Sequence, residues 1–246
     1  MNSMGKQYTA AMIVIGNEIL SGRTQDLNIN YVAKKLVECG VVLAEVRIIP
    51  DVESVIISTI GELYEKVDYI FTSGGIGPTH DDITAASVAK AFDVVLEEHP
   101  EARSLLLEHY GENDLSAARL RMARIPVGAE LIPNPVSVAP GFIIENTHVM
   151  AGVPRIMQAM MDHVACTLKG GAVIQSHTVS CTLTESVIAK ELTAIQDDWK
   201  HVDIGSYPYF KDGVLGVNIV LRSSVESDLV QAAGDVSDMV EGLIGT

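Results

Sequence analysis

Tyr69-Ile-Phe-Thr-Ser-Gly-Gly-Ile-Gly-Pro-Thr-His-Asp-Asp-Ile-Thr84 runs from an apolar strand through a glycine-rich turn to a helix start. Tyr69 to Thr72 read as a short buried strand, Ser73 to Pro78 as the turn, and a helix is predicted to open near Thr79 or His80. Gly74, Gly75 and Gly77 permit positive φ and close approach of a ligand to the main chain. The unpaired N–H groups of a following helix favour an anion such as phosphate. In open α/β sheets this is where nucleotide phosphates sit.

The motif is neither of the familiar phosphate loops. It has no Lys-Ser/Thr ending, and its G-G-x-G-P order misses the dinucleotide-binding spacing. In place of a lysine stand two adjacent carboxylates, Asp81 and Asp82. Two carboxylates repel a phosphate unless a divalent cation bridges them, so a Mg²⁺-like ion at Asp81 and Asp82 is expected. Thr79 to Asp82 also reads as a T-x-x-D capping box, in which acidic residues serve only the helix start. Both readings stand on the residues alone.

Working outward, 246 residues suffice for one medium domain and a small one. Hydrophobic content of 48% with 20% charged residues marks an ordinary globular chain, with no run long enough to cross a membrane. The start Met-Asn-Ser-Met-Gly-Lys-Gln lacks the apolar core of a signal peptide. A net charge of −15 disfavours nucleic acid and anionic membranes as partners. Cys39, Cys166 and Cys181 lack metal-ligand spacing and are expected to be buried free thiols in a reducing cytoplasm.

Upstream, β-α units repeat. Ala10 to Ile15 is a continuous apolar run bounded by Gly16. The next helix carries Ile29, Val32, Ala33, Leu36 and Val37 on one stripe and stops at Gly40. Val41 to Ile49 is a second strand, followed by a helix with Ile56, Ile60, Leu63 and Val67 inward. Alternating strands and helices predict a mostly parallel sheet covered on both faces, a three-layer α/β/α arrangement. Ligands then lie beyond the carboxyl ends of the strands, at the loops Gly16 to Asn28, Pro50-Asp51 and Ser73 to Asp82. Glu18 either orients a ligand or satisfies loop amides. Asp51 is placed as a helix N-cap that can also face the site.

Downstream, Glu97 to Arg124 reads as two polar helices, with Arg119, Arg121 and Arg124 on a solvated face of the second. Leu131-Ile-Pro-Asn-Pro-Val-Ser-Val-Ala-Pro-Gly-Phe142 is a stiff loop suited to a pocket wall. Phe142 to Ile144 and His148 to Ala151 are strands. The helix after Gly152-Val-Pro-Arg155 has a Met stripe expected in the core. Lys169-Gly170-Gly171 reads as a linker, dividing residues 1–170 from 171–246. The remainder has the order β-α-β-β-α, with a hairpin at Asp212-Gly213, and makes a small α+β domain.

Four segments in order, Ile15-Gly-Asn-Glu-Ile-Leu-Ser-Gly22, Thr72 to Thr84, Pro133 to Gly141 and Ala151-Gly-Val-Pro-Arg155, resemble the molybdopterin-binding (MoaB/Mog-type) domain. The resemblance is strongest to the competence/damage-inducible protein A (CinA) branch. G-G-I-G-P-T-H-D-D also looks like the corresponding domain of eukaryotic FAD synthases, and Ile204-Gly-Ser-Tyr-Pro208 looks like the small KH-like domain that follows it in CinA proteins.

The resemblance implies a nucleotide or pterin ligand and a homo-oligomer, dimer or trimer. Mog-type proteins transfer adenylate to molybdopterin and end the motif in Arg-Asp, whereas here the arginine position is Asp81 and the aspartate is kept as Asp82. CinA-type and FAD-synthase domains are associated with metal-dependent cleavage of the pyrophosphate in ADP-ribose or FAD. The carry-over makes Asp82, Asp81, Glu18 and Asp51 candidate catalytic residues. Candidate binding positions are Gly16, Asn17, Ser21, Gly22, Asp26 and Asn28 in the first loop, and Ser73, Gly74, Gly75, Ile76, Gly77, Pro78 and Thr79 in the second. Pro140, Gly141, Gly152 and Pro154 complete them. Nicotinamide-mononucleotide deamidation and FAD synthesis, which use other domains of those families, are not expected of these residues.

Overall fold

The structure, a computed structural model, describes residues 6–245. Met1 to Gly5, most of the stretch without a signal-peptide core, lie outside the described residues. The chain divides into two compact units, Met1–Gly171 and Ala172–Thr246.

In the first unit, β1 (Tyr8–Ile15) leads through one helical turn, α1 (Asn17–Leu20), to α2 (Asn28–Glu38). β2 (Val41–Ile49), α3 (Glu53–Tyr64), β3 (Tyr69–Ser73) and α4 (Thr84–Ala91) follow. Next come β4 (Leu96–Glu98), α5 (Pro100–Tyr110), α6 (Ala117–Leu120), a 3₁₀ turn at Arg121–Ala123, β5 (Arg124–Pro126) and β6 (Glu130–Ile132). β7 (Gly141–Ile144), β8 (Thr147–Met150) and α7 (Pro154–Ala165) complete the unit.

The main sheet has the order β2-β1-β3-β8-β7-β6. β1 runs parallel to β2 and β3, β3 runs parallel to β8, and β7 runs antiparallel to both of its neighbours, β8 and β6. Because successive side chains of a strand point to opposite faces, the unbroken apolar run of β1 feeds two cores. Ala11, Ile13 and Ile15 pack with Ile56, Ile60 and Leu63 of α3, Val88 of α4 and Leu106 of α5. Ala10, Met12 and Val14 pack with Val32 and Leu36 of α2 and with Met157, Met160, Met161 and Val164 of α7. Each fully buried side chain of this size is worth about 1.5–3 kcal/mol. The α/β/α layering thus follows from the sequence pattern, and the Met stripe is core.

Local differences from the sequence reading have local causes. The buried stripe of α2 is Asn28, Val32 and Leu36, at i, i+4 steps, and Val37 is exposed. The Glu97–Arg124 stretch is not two helices alone: β4 and β5 pair antiparallel, leaving Arg119 in α6, Arg121 in the 3₁₀ turn and Arg124 in β5. The Lys169–Gly171 segment is tied down. Tyr69 Oη bonds both N and O of Lys169, and Gly171 N–H donates to Gly40 O. Cys166 is exposed and Cys39 half-buried, so only Cys181 is a buried thiol.

The second unit comprises β9 (Gln175–Cys181), α8 (Glu185–Asp198), β10 (Asp203–Lys211), β11 (Val214–Ser223) and α9 (Glu226–Ile244). Its antiparallel sheet has the order β10-β11-β9. Asp212 (φ 53°) and Gly213 (φ 83°) make the hairpin turn, both in the left-handed region that two-residue hairpins use. Ile188, Ile219, Leu221, Leu229 and Val236 form its own core. Among the described residues no helix is long and apolar enough to cross a membrane.

Candidate functional site

At the carboxyl ends of β1, β2 and β3 lies a cleft of about 530 Å³. Glu18, Asp51, Asp81 and Asp82 all line it, as do Gly74 to Pro78, Gly152 and Pro154. The three loops that strand order assigns to a site in an open α/β sheet therefore share one cavity.

The glycine loop is longer than predicted. α4 opens at Thr84, not at Thr79 or His80. Thr84 N–H donates to Gly75 O at 3.0 Å, and its hydroxyl donates to Gly74 O at 2.9 Å, so the helix start closes back on the loop. Gly74 (φ 113°) and Gly75 (φ 69°) are required by this path. A Cβ at Gly74 would lie 2.2 Å from Ile15 O, and one at Gly75 would lie 2.1 Å from Thr84 Oγ1.

Within the loop, Asp82 Oδ2 accepts from Thr79 N–H at 2.8 Å and from Thr79 Oγ1 at 2.6 Å. The T-x-x-D pairing is real, but it closes a turn ahead of the helix and does not cap it. Thr79 thus serves Asp82 and does not line the cleft. The Asp81 carboxyl is exposed, with Oδ1 3.9 Å from His80 Nδ1.

Asp51 is not a helix cap, because α3 starts at Glu53 after Val52 without a side-chain cap. Its Oδ2 instead accepts from Asn17 N–H at 2.9 Å, fastening the first loop to the second. The Glu18 carboxylate makes no hydrogen bond or ion pair with the described residues, so it is not spent on loop amides. It lies over Gly16, where a Cβ would come within 2.5 Å of it.

Several predicted binding positions are structural. Asp26 Oδ1 accepts from Ile29 N–H at 2.8 Å at the start of α2. Ser21 and Gly22 are exposed outside the cleft lining, and the Ser21 hydroxyl donates to Glu18 O. Gly141 is a buried strand position where a Cβ would meet Val149 O at 2.3 Å. Asn28 is buried and its Nδ2 donates to Ser73 Oγ at 2.7 Å and to Gly152 O at 2.8 Å. Asn28 and Ser73 thus hold the glycine loop and the β8–α7 turn together from behind.

Asn134 and Ser137 of the proline-rich loop line the cleft, although only the loop as a whole was legible in sequence. Asn134 Oδ1 accepts from the N–H groups of Val136 and Ser137, and its Nδ2 donates to Ser137 Oγ and Ala139 O. N-x-x-S was the available signal. Arg121 and Arg124 also escaped. They line a recess of about 60 Å³ beside the glycine loop, together with Asp82 and Pro140. Arg119 does not, since it donates to Asp114 O and lies 4.1 Å from the Tyr110 ring centre.

Among the described residues no three His, Cys, Asp or Glu side chains gather as a metal site. The cleft nevertheless offers four acidic residues, hard oxygen donors of the type Mg²⁺ accepts. Mg²⁺ commonly takes one or two carboxylates and completes its shell with substrate phosphates and water. The residues fit an ion that arrives with a phosphate, with Asp81 and Asp82 beside the glycine loop as holders, and do not fit an all-protein cage.

Residues 11–169 match the model of the probable molybdopterin binding domain family, and residues 173–244 that of the FAD synthase middle domain. A protein of Caldivirga maquilingensis is 34% identical over 243 residues, covering 96% of this chain and 92% of that one. A probable FAD synthase of Caenorhabditis elegans is 29% identical over 267 residues, spanning 98% of this chain and 51% of that protein. Among solved structures, CinA from Thermoplasma acidophilum, described as of unknown function, superposes with a TM-score of 0.62 at 32% identity. That match covers 65% of this chain and 98% of the other. The chain belongs to the probable molybdopterin binding domain family, of CinA type, and its second unit is similar to the FAD synthase middle domain.

Proposed function

We propose that the protein is a divalent-cation-dependent nucleotide pyrophosphatase acting on ADP-ribose, FAD or a related dinucleotide. The observation that carries this reading is the single cleft in which a backbone-exposing glycine loop meets Glu18, Asp51, Asp81 and Asp82. Similarity to a probable FAD synthase supports a dinucleotide ligand. The first-unit fold supplies loop amides for a phosphate, and the carboxylates supply sites for a cation and for water. When bound with substrate, the cation lends Lewis acidity to a phosphoryl oxygen. Glu18, with no competing partner, is assigned to orient the attacking water; Asp82 is held in place beside the loop by Thr79.

Water adds to one phosphorus of the P–O–P bridge while the bridging oxygen leaves on the other phosphate. ADP-ribose plus water thus becomes AMP and ribose 5-phosphate, and FAD becomes FMN and AMP. The test is incubation with dinucleotides and ATP plus Mg²⁺, Mn²⁺ or Co²⁺, read by chromatography. AMP release from a dinucleotide is the expected result, and an unchanged rate in Asp82→Ala overturns it.

A second reading, adenylation of molybdopterin with Mg-ATP, is favoured by the name of the matching family. The acidic Asp81 at the Mog-type arginine position speaks against it. ATP consumption only in the presence of molybdopterin would establish it. Tight pterin or nucleotide binding without product over hours would instead identify a binding module without chemistry.

A further inference from the structure

The recess of about 60 Å³ and the cleft of about 530 Å³ share one wall, formed by Gly75, Ile76, Gly77, Asp82 and Met122. Among the described residues, Arg121 and Arg124 are the only cationic ones lining either cavity, in a chain of net charge −15. Arg121 in the 3₁₀ turn and Arg124 at the start of β5 both line the recess. Neither guanidinium donates a hydrogen bond or forms an ion pair with the described residues. Arg119, by contrast, is spent on Asp114 O and the Tyr110 ring.

We infer that Arg121 and Arg124 form a subsite for the second phosphoryl group of a pyrophosphate whose first is held at the glycine loop. This rests on the reading of that loop as a phosphate cradle. Size decides what each cavity takes. A water needs roughly 10–15 Å³ of such space, so the recess holds a phosphoryl-sized group and excludes a nucleoside. The cleft is large enough for the nucleoside. Charge decides the order, because a lone phosphate at the loop faces four acidic residues, whereas a second phosphoryl group meets guanidinium donors suited to its oxygens. Both arginines are exposed, so whatever is esterified to the second phosphoryl group projects into solvent. The site therefore selects for two linked phosphates and one nucleoside, and is tolerant of the distal substituent.

Calorimetric titration of the full chain with inorganic pyrophosphate and with orthophosphate, each with Mg²⁺, tests this without requiring turnover. The wild type is expected to prefer pyrophosphate. The double variant Arg121→Ala/Arg124→Ala is expected to lose roughly tenfold or more of pyrophosphate affinity, with little change for orthophosphate. Single Arg121→Gln and Arg124→Gln variants, checked by thermal melts, give the same reading if the double variant does not fold. Equal binding of the two anions by the wild type, or unchanged pyrophosphate affinity in folded variants, overturns the subsite. A pyrophosphate preference that depends on the arginines, with no dinucleotide hydrolysed, keeps the subsite and removes the hydrolase reading.

Discussion

Thr79 gives both its backbone N–H and its hydroxyl to the same oxygen of Asp82, at 2.8 and 2.6 Å. A carboxylate held by two local donors is oriented before any ligand arrives, which lowers the cost of organising the site.

If that orientation serves catalysis, Asp82→Ala and Thr79→Val differ in degree. Asp82→Ala should reduce dinucleotide turnover by ~100-fold or more. Thr79→Val keeps the carboxylate and one N–H donor, and should cost about tenfold, mainly in kcat. Steady-state kinetics with matched melting curves checks both, and wild-type turnover in Thr79→Val would show that the Thr79 hydroxyl plays no positioning part.

Gly75→Ala should be far worse than its size suggests. Gly75 has φ 69°, and the added methyl would stand 2.1 Å from the Thr84 hydroxyl. The loop must move, so nucleotide binding should fall by at least ~10-fold while the sheet core keeps its far-ultraviolet circular dichroism. Wild-type affinity in Gly75→Ala would refute the loop's role.

Asn28→Ala probes the support behind the loop. Removing the buried amide leaves Gly152 O and Ser73 Oγ without their donor. A loss of about 1–3 kcal/mol in chemical denaturation is expected, with the denaturant slope unchanged.

His148 of β8 makes the fold acid-sensitive. It is 5% exposed, packs 5.0 Å from the Phe71 ring, and its Nδ1 has no partner. Burial lowers its pKa from 6.5 to about 4, outweighing the opposing backbone hydrogen bonds at Asn146 and Ile70. Above the unfolded value both states are neutral and nothing is lost. As pH falls below it, the unfolded chain takes up the proton first, so stability declines until the folded value is passed. The His148 contribution to this loss is about 2 kcal/mol at pH 5 relative to pH 8. His148→Leu should flatten that part of the profile in denaturation at the two pH values, and an identical pH dependence in the variant would exclude His148 as the cause.

Val138 sits at φ 69°, a rare conformation for a β-branched residue, in the loop whose Asn134 and Ser137 line the cleft. Val138→Gly should raise stability by about 1 kcal/mol through relief of strain, partly offset by unfolded-state entropy. Thermal denaturation measures this, and a lower midpoint would mean that the valine side chain contributes more by packing than its backbone costs.

The sequence by itself determined the layers. β1 reads as an uninterrupted apolar run because both faces of a central parallel strand are covered, and the helical stripes of α3 and α7 follow from a 3.6-residue period. It also located the glycine loop, since positive φ at Gly74 and Gly75 is a local demand that residue type reveals. What spacing could not show is which side chains meet across the fold. Asp51 looked like a cap and proved to hold the Asn17 amide, Asn28 reaches Ser73 and Gly152 from another loop, and Arg121 and Arg124, solvated as read, also wall a recess. Local backbone preferences act over a few residues and are written in the chain. Contacts between residues dozens of positions apart depend on strand order and register, and only the assembled sheet brings them together.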